Sequence, residues 1–529
     1  MSKDKKYKVV SASAAAIETV VKPAVKHTHK IMLEGTGQIH GGIDDFFCTL
    51  DSSTAKKLNW FFRGLKSINR STHKLIRYFI RSEYQDTSHS LRVIEKGLNK
   101  RQEELELGFE QKNWRDYKAW AFSSENRKLI RDIVLFINEH TRDFNNIPYH
   151  RLLQYFIAFG RLQTVSREKI WQLEKYDLDN NLERGLFLLS KYCKYSVAVY
   201  GKLLVRIIIQ KKWYKLFNSE SDEEILRLYL GIKAEDIAYS QLKSQRYLPA
   251  HAIILNTEEK VVILSIRGTM SVFDCLSDLT GDYTTYDYTC TETGEVISTG
   301  LVHSGIMTCA RNLSAEVKTK ILQLLNQNPD FSLVIVGHSL GAGATALLAL
   351  YWLSDPEIMQ KGFIALAYAP PAVVSSELNR YLKNFLFSCS FGSDIVCRMS
   401  FGSLKDCVEI VNFFLEKEKS PNSIKASNIV TNYLYKGKLS ESVLISIYQE
   451  LKERFTNCKL EPPGYIFQIF SKKKHKDYKL IQDTEDKYIG AFVDPKFFQE
   501  IVFGKTAFMD HFPNLYEKAL NFIAGNLGK

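Results

Sequence analysis

The chain has 529 residues, 45% hydrophobic and 25% charged, a composition that buries a sizeable core and excludes a disordered or fibrous protein. Its 71 Lys+Arg against 59 Asp+Glu leave a formal charge of +12, which suits a polyanionic surface such as the anionic face of a membrane. No apolar run reaches the ~18–20 residues needed to span a bilayer, and the polar N-terminus leads into no signal-type apolar segment. Nine cysteines without a C-x-x-C pair point to free thiols in a reducing compartment, so the expected location is cytoplasmic with peripheral membrane association.

Residues 1–50 read as a flexible basic segment, with Gly35, Gly37, Gly41 and Gly42 as turn signals. Residues 51–230 read as helical and basic. Phe61, Leu65, Ile68, Leu75, Phe79 and Ile80 fall at helical spacings, with Lys57, Arg63, Arg70, Lys74 and Arg77 between them. Such a stretch either lies on an anionic bilayer or is a bundle helix with a solvated basic face. Further helices are predicted at 127–139, 150–162 and 182–217.

The pattern changes after Gly231. Two β-favouring runs, 251–257 and 261–266, are joined by the charged turn Glu258-Glu259-Lys260 and predict a strand pair. A helix is predicted at 314–325, and further short strands at 363–368 and 386–391. Strands alternating with helices argue for a mostly parallel α/β sheet over 231–529, preceded by a mainly helical N-terminal region. The run Lys472-Lys473-Lys474-His475-Lys476 predicts an exposed loop, with membrane contact as the sharper reading.

The most informative stretch is Leu333-Val-Ile-Val-Gly-His-Ser-Leu-Gly-Ala-Gly343. An apolar strand runs into Gly-His-Ser-Leu-Gly and then into an Ala- and Leu-rich helix at 344–353. That order is the G-x-S-x-G nucleophile elbow in its required setting, and it makes Ser339 a candidate nucleophile. A serine needs a base to take its proton and a carboxylate to orient that base. In α/β-hydrolase-like chains the order is Ser, acid, His. Asp394, just beyond the strand ending at Phe391, is the best acid; Asp355 and Asp406 are weaker. Downstream histidines are His475, within the lysine run, and His511, before a terminal apolar helix; His511 is the better base. His303 and His338 are alternatives, and His338 is expected to support the turn. Two backbone donors are needed for an oxyanion. They are expected at Leu340, directly after the nucleophile, and at Thr269 in the loop Arg267-Gly268-Thr269, after an early strand. The amphipathic segment 270–281 reads as a lid or as an ordinary packed helix.

Several separate blocks resemble the class 3 lipases. These are Ser265-Ile-Arg-Gly-Thr-Met-Ser271, Asp278-Leu-Thr280, Val302-His-Ser-Gly305, the elbow itself and Tyr368-Ala-Pro-Pro371. More narrowly, Gly392-Ser-Asp-Ile-Val-Cys-Arg398, Leu460-Glu-Pro-Pro-Gly464 and Asp510-His-Phe-Pro513 are similar to blocks of the sn-1-specific diacylglycerol lipases. The resemblance runs from about residue 237 to the C-terminus. It implies an α/β-hydrolase fold, the triad Ser339, Asp394 and His511, and hydrolysis of a glycerolipid acyl ester through an acyl-serine. In that family a lid follows the Arg-Gly-Thr block, and a long insert, here about 417–459, separates acid and base. The animal diacylglycerol lipases carry a four-helix membrane-spanning region; this N-terminal part is basic and helical instead.

The expected substrate is diacylglycerol, cleaved to monoacylglycerol and fatty acid, with a phospholipase A1 or broader acylglycerol lipase as the alternative. A lipase-fold scaffold without activity is the reading from another class, and all three triad positions being filled weighs against it. No nucleic-acid partner is expected, because no reader motif accompanies the basic helices. No cofactor or metal is expected either: His27 and His29 form no cluster at ligand spacing.

Overall fold

The computed structural model describes residues 147–526 apart from 148, 171–176, 178, 203, 206–220, 270–281, 436–438, 473–485, 504, 505 and 508. The N-terminal segment 1–50, the basic stretch from Phe61, the predicted helix at 127–139, the lid segment 270–281 and His475 therefore lie outside the described residues.

Three helices precede the sheet: α1 (Tyr149–Ile170), α2 (Asn180–Ala198) and α3 (Asp222–Leu230). The expected helix over 182–217 is present as far as Ala198, and residues 206–217 lie outside the described residues. After Ala198 the chain turns at Val199 and Tyr200, and Gly201 takes a left-handed φ of 64°. The starts of α2 and α3 have their reason: the Asp179 side chain accepts from Leu182 N–H, and the Ser221 side chain from Glu224 N–H.

Among the described residues eight strands form one sheet in the order β1-β2-β3-β6-β7-β8-β9-β10. They are β1 (Ile237–Gln241), β2 (His251–Asn256), β3 (Val261–Ile266), β6 (Ser332–His338), β7 (Phe363–Tyr368), β8 (Leu386–Phe391), β9 (Tyr465–Ser471) and β10 (Tyr488–Val493). Strands β3, β6, β7, β8 and β9 run parallel; β1 and β2 at one edge and β10 at the other are antiparallel. The sheet is thus mostly parallel, as expected, with antiparallel pairs at its two edges. The remaining pair, β4 (Tyr283–Thr289) and β5 (Val296–His303), makes a separate hairpin.

Strand β3, Val-Val-Ile-Leu-Ser-Ile, is buried at every position because helices cover both faces of the sheet. Successive side chains enter different cores. Val262, Leu264 and Ile266 join one with α1, α4 (Ser304–Gln327) and α5 (Leu340–Trp352); Val261 and Ile263 join the other with α2 and α11 (Pro513–Ala524). Each such aliphatic side chain contributes about 1.5–3 kcal/mol on burial. Helix α4 begins ten residues before the predicted 314, capped by His303, whose Nδ1 accepts from Ile306 N–H at 3.3 Å.

The linking helices are α6 (Pro356–Lys361), α7 (Ser376–Leu382), α8 (Phe401–Lys419), α9 (Ala426–Tyr435) and α10 (Glu441–Lys452). Within the insert at 417–459 Lys417 pairs with Glu450 at 2.7 Å, and Arg454 reaches to Glu416 just before it at 2.6 Å. Its helices pack on α1, where the buried Glu500 accepts from Gln163 and Tyr448. No helix among the described residues is long and apolar enough to cross a membrane.

Helices α1, α2 and α3 share the two cores with the sheet, because a sheet with apolar residues on both faces must be covered on both. Gly185 of α2 shows how close this contact is: a Cβ there would stand 2.4 Å from the Phe387 ring of β8. Gly185→Ala is therefore expected to lower stability by about 1–3 kcal/mol through overpacking, despite the better helix propensity of alanine. Urea unfolding of the two proteins measures it, and an unchanged or raised midpoint would refute the tight seating of α2.

Candidate active site

Strand β6 delivers Ser339 at its carboxyl end, and α5 starts at the next residue. The turn holds Ser339 at φ 61° and ψ −131°, left-handed backbone that a non-glycine residue adopts only when its surroundings impose it. Here they do: Ser339 N–H donates to Tyr368 O at 2.9 Å, and Ser339 O accepts from Ala342 and Gly343 N–H. The glycines on either side are required by contact. A Cβ at Gly337 would lie 2.3 Å from Gly341 O, and one at Gly341 2.4 Å from Ile266 O.

The structure brings Ser339, His511 and Asp394 together. Ser339 Oγ lies 2.8 Å from His511 Nε2, and His511 Nδ1 lies 2.9 and 3.1 Å from the two carboxylate oxygens of Asp394. All three side chains are buried, Ser339 with 2% of its surface exposed. With Nδ1–H donating to the carboxylate, Nε2 is left as an acceptor for the serine hydroxyl.

Asp394 follows the carboxyl end of β8, and its Oδ1 also accepts from Val396 N–H at 2.9 Å. Its Oδ2 accepts from the Tyr516 hydroxyl, which in turn accepts from Phe391 N–H at 3.1 Å. Burial, with the Asp394 carboxylate beside it, pushes the Tyr516 phenol up, so it stays a donor. His511 closes a single 3-10 turn just before α11. The preceding Asp510 ties this turn to the acid loop, accepting from Thr506 Oγ1 at 2.6 Å and from Ser393 N–H at 3.0 Å. Tyr516 belongs to no motif of the sequence, and Asp510 stands in the Asp510-His-Phe-Pro513 block without a role the sequence assigns to it. The signal available for Tyr516 was its position, five residues beyond His511 on the helix that leads away from it.

The loop after β3 lies against the elbow. Gly268 is so close that a Cβ would stand 2.5 Å from His338 O and 2.8 Å from Ser339 Cβ. Thr269 follows it, and Leu340 opens α5, ahead of that helix's first bonds from Ala342 and Gly343 N–H to Ser339 O. Both expected oxyanion donors therefore sit in segments that border Ser339.

The alternatives are occupied elsewhere. Asp355 caps α6 and pairs with Lys318 at 2.6 Å. Asp406 lies in α8, paired with Lys459 at 2.8 Å, and burial raises its pKa. His303 caps α4, and His338 faces Tyr200 and the His511 carbonyl rather than the serine hydroxyl. Among the described residues no group of three or more His, Cys, Asp or Glu is placed to hold a metal ion.

Residues 263–404 match the family model for lipase (class 3). Human diacylglycerol lipase-alpha is 25% identical over 319 residues, covering 56% of this chain and 30% of that protein. Mouse diacylglycerol lipase-beta is 32% identical over 180 residues, 33% of this chain and 25% of that one. The chain thus spans under a third of the length of these curated relatives. Among solved structures, Lip2 lipase of Yarrowia lipolytica aligns at 17% identity and a TM-score of 0.32, covering 44% of this chain and 79% of that one.

Proposed function

We propose that this chain, a member of the class 3 lipases through residues 263–404, is a serine lipase acting on a glycerolipid at a membrane surface. The observation that carries this is the buried chain of hydrogen bonds from Ser339 through His511 to Asp394. His511 Nε2 takes the Ser339 proton as Oγ adds to the ester carbonyl. The Leu340 and Thr269 N–H groups stabilise the oxyanion that forms. The imidazolium, held by Asp394, then protonates the departing glycerol oxygen and leaves an acyl-serine. Water, deprotonated by His511, releases the fatty acid by the reverse sequence and restores the serine.

Diacylglycerol, giving monoacylglycerol and fatty acid, is the proposed substrate. Both curated relatives named above are called diacylglycerol lipases, and three blocks of the chain resemble that subgroup. A net charge of +12 supports peripheral recruitment to anionic lipid from the cytoplasmic side. Hydrolysis of a panel of di- and triacylglycerol and phospholipid in anionic and neutral vesicles, by wild type and Ser339→Ala, tests the proposal. Diacylglycerol turnover that is faster on anionic vesicles and lost in the variant is the expected result. Preference for the sn-1 chain of phospholipid would replace it with the phospholipase A1 reading.

A further inference from the structure

We infer that Tyr200 and His338 are positioning residues for the base: a two-step hydrogen-bond chain, Tyr200 hydroxyl to His338 to the main chain of His511, sets where the His511 ring stands. The inference rests on the proposed serine-hydrolase chemistry and extends it to a residue far upstream of the segment that matches the lipase family.

The geometry fixes the direction of each bond. His338 Nε2 lies 2.9 Å from the His511 carbonyl oxygen, which can only accept, so Nε2 carries the proton. His338 Nδ1 lies 2.8 Å from the Tyr200 hydroxyl. In a neutral ring Nδ1 is then the acceptor and the phenol the donor. Burial and the adjoining His511 hold the His338 pKa well below the usual histidine range, which keeps the ring neutral. The three rings are near neighbours, Tyr200 and His338 edge to face with centroids 5.7 Å apart and His338 and His511 tilted with centroids 4.8 Å apart.

The base has reason to need this support. His511 ends a single 3-10 turn, and Pro513, two residues on, has no N–H to offer. Its carbonyl is fastened by a side chain of the elbow itself, so nucleophile and base share one anchor. Tyr200 reaches the same place from the turn that ends α2. It belongs to a small apolar cluster of Val197, Val199 and Leu204, against which Phe512 packs. Its hydroxyl also touches the oxyanion loop, since a Cβ at Gly268 would lie 2.6 Å from it. One phenol thus contacts the elbow histidine and the oxyanion loop, and its cluster abuts the residue after the base.

The test compares His338→Asn, His338→Gln and Tyr200→Phe in the full chain. The glutamine amide reaches the position of Nε2 and donates to His511 O; asparagine is one bond too short. With a soluble short-chain ester, His338→Asn is expected to lower kcat on the order of 10- to 100-fold with KM within about twofold, because a small misplacement of a base acts on the chemical step. His338→Gln is expected to recover most of that loss, and Tyr200→Phe to fall between wild type and His338→Asn. Equal kcat for the Asn and Gln variants would overturn the inference, as would a Tyr200→Phe protein at wild-type rate. A readout independent of turnover is ¹⁵N NMR of histidine-labelled protein, where wild-type His338 is expected as the Nε2–H tautomer. Finding the Nδ1–H tautomer would overturn the chain whether or not the protein hydrolyses anything. Failure of the hydrolase proposal looks different: wild type itself would not be labelled at Ser339 by a fluorophosphonate.

Discussion

Ser339→Ala is expected to lower kcat by about 10⁶-fold and to abolish fluorophosphonate labelling, the scale of loss when a triad nucleophile is removed. The change deletes one hydroxyl that bonds His511 at 2.8 Å and leaves the elbow otherwise as it was. Alanine is no more strained than serine at φ 61°, and the backbone bonds to Tyr368, Ala342 and Gly343 persist. Stability should therefore change by under about 1 kcal/mol, so a folded and inactive protein is the predicted product. Ester hydrolysis by the variant at a wild-type rate would remove Ser339 from the mechanism.

Asp394→Asn should cost nearly as much, about 10⁴-fold in kcat, for a different reason. Three donors converge on this carboxylate: His511 Nδ1–H, Val396 N–H and the Tyr516 hydroxyl. An amide in its place must turn its NH₂ toward one of them. Facing Val396 it brings two N–H groups together; facing Tyr516 it opposes a phenol that already accepts from Phe391. With either conflict relieved by turning toward the imidazole, His511 is left with its proton on Nε2. It can then no longer accept from Ser339. Steady-state kinetics of the Asn variant check this, with circular dichroism to verify the fold; a loss under about tenfold would argue against Asp394 as the acid.

Some of this was legible in the residues. Strand β3 and the strand that leads into Ser339 are long β-branched runs whose structure is decided locally, and both appear where expected. The elbow glycines mark a turn that no larger residue fits. Other elements were not legible because their signals are weak or cancel. The hairpin β4–β5 is Tyr- and Thr-rich with an irregular burial pattern, so no alternation stands out. Helix α4 starts at Ser304-Gly305, where glycine is a poor helix former, and His303, not a usual capping residue, caps it.

The amino-acid order by itself determined the nucleophile turn, the class of sheet around it and a short set of acids and bases, since each depends on neighbours a few residues apart. Only the tertiary structure decided which of them meet. His511 stands 172 residues from Ser339 and 117 from Asp394, and such distances carry no local trace. It also decided that α2 and Tyr200 belong with the site. A sheet apolar on both faces must be covered twice, and the chain supplies that second cover from well before the first strand.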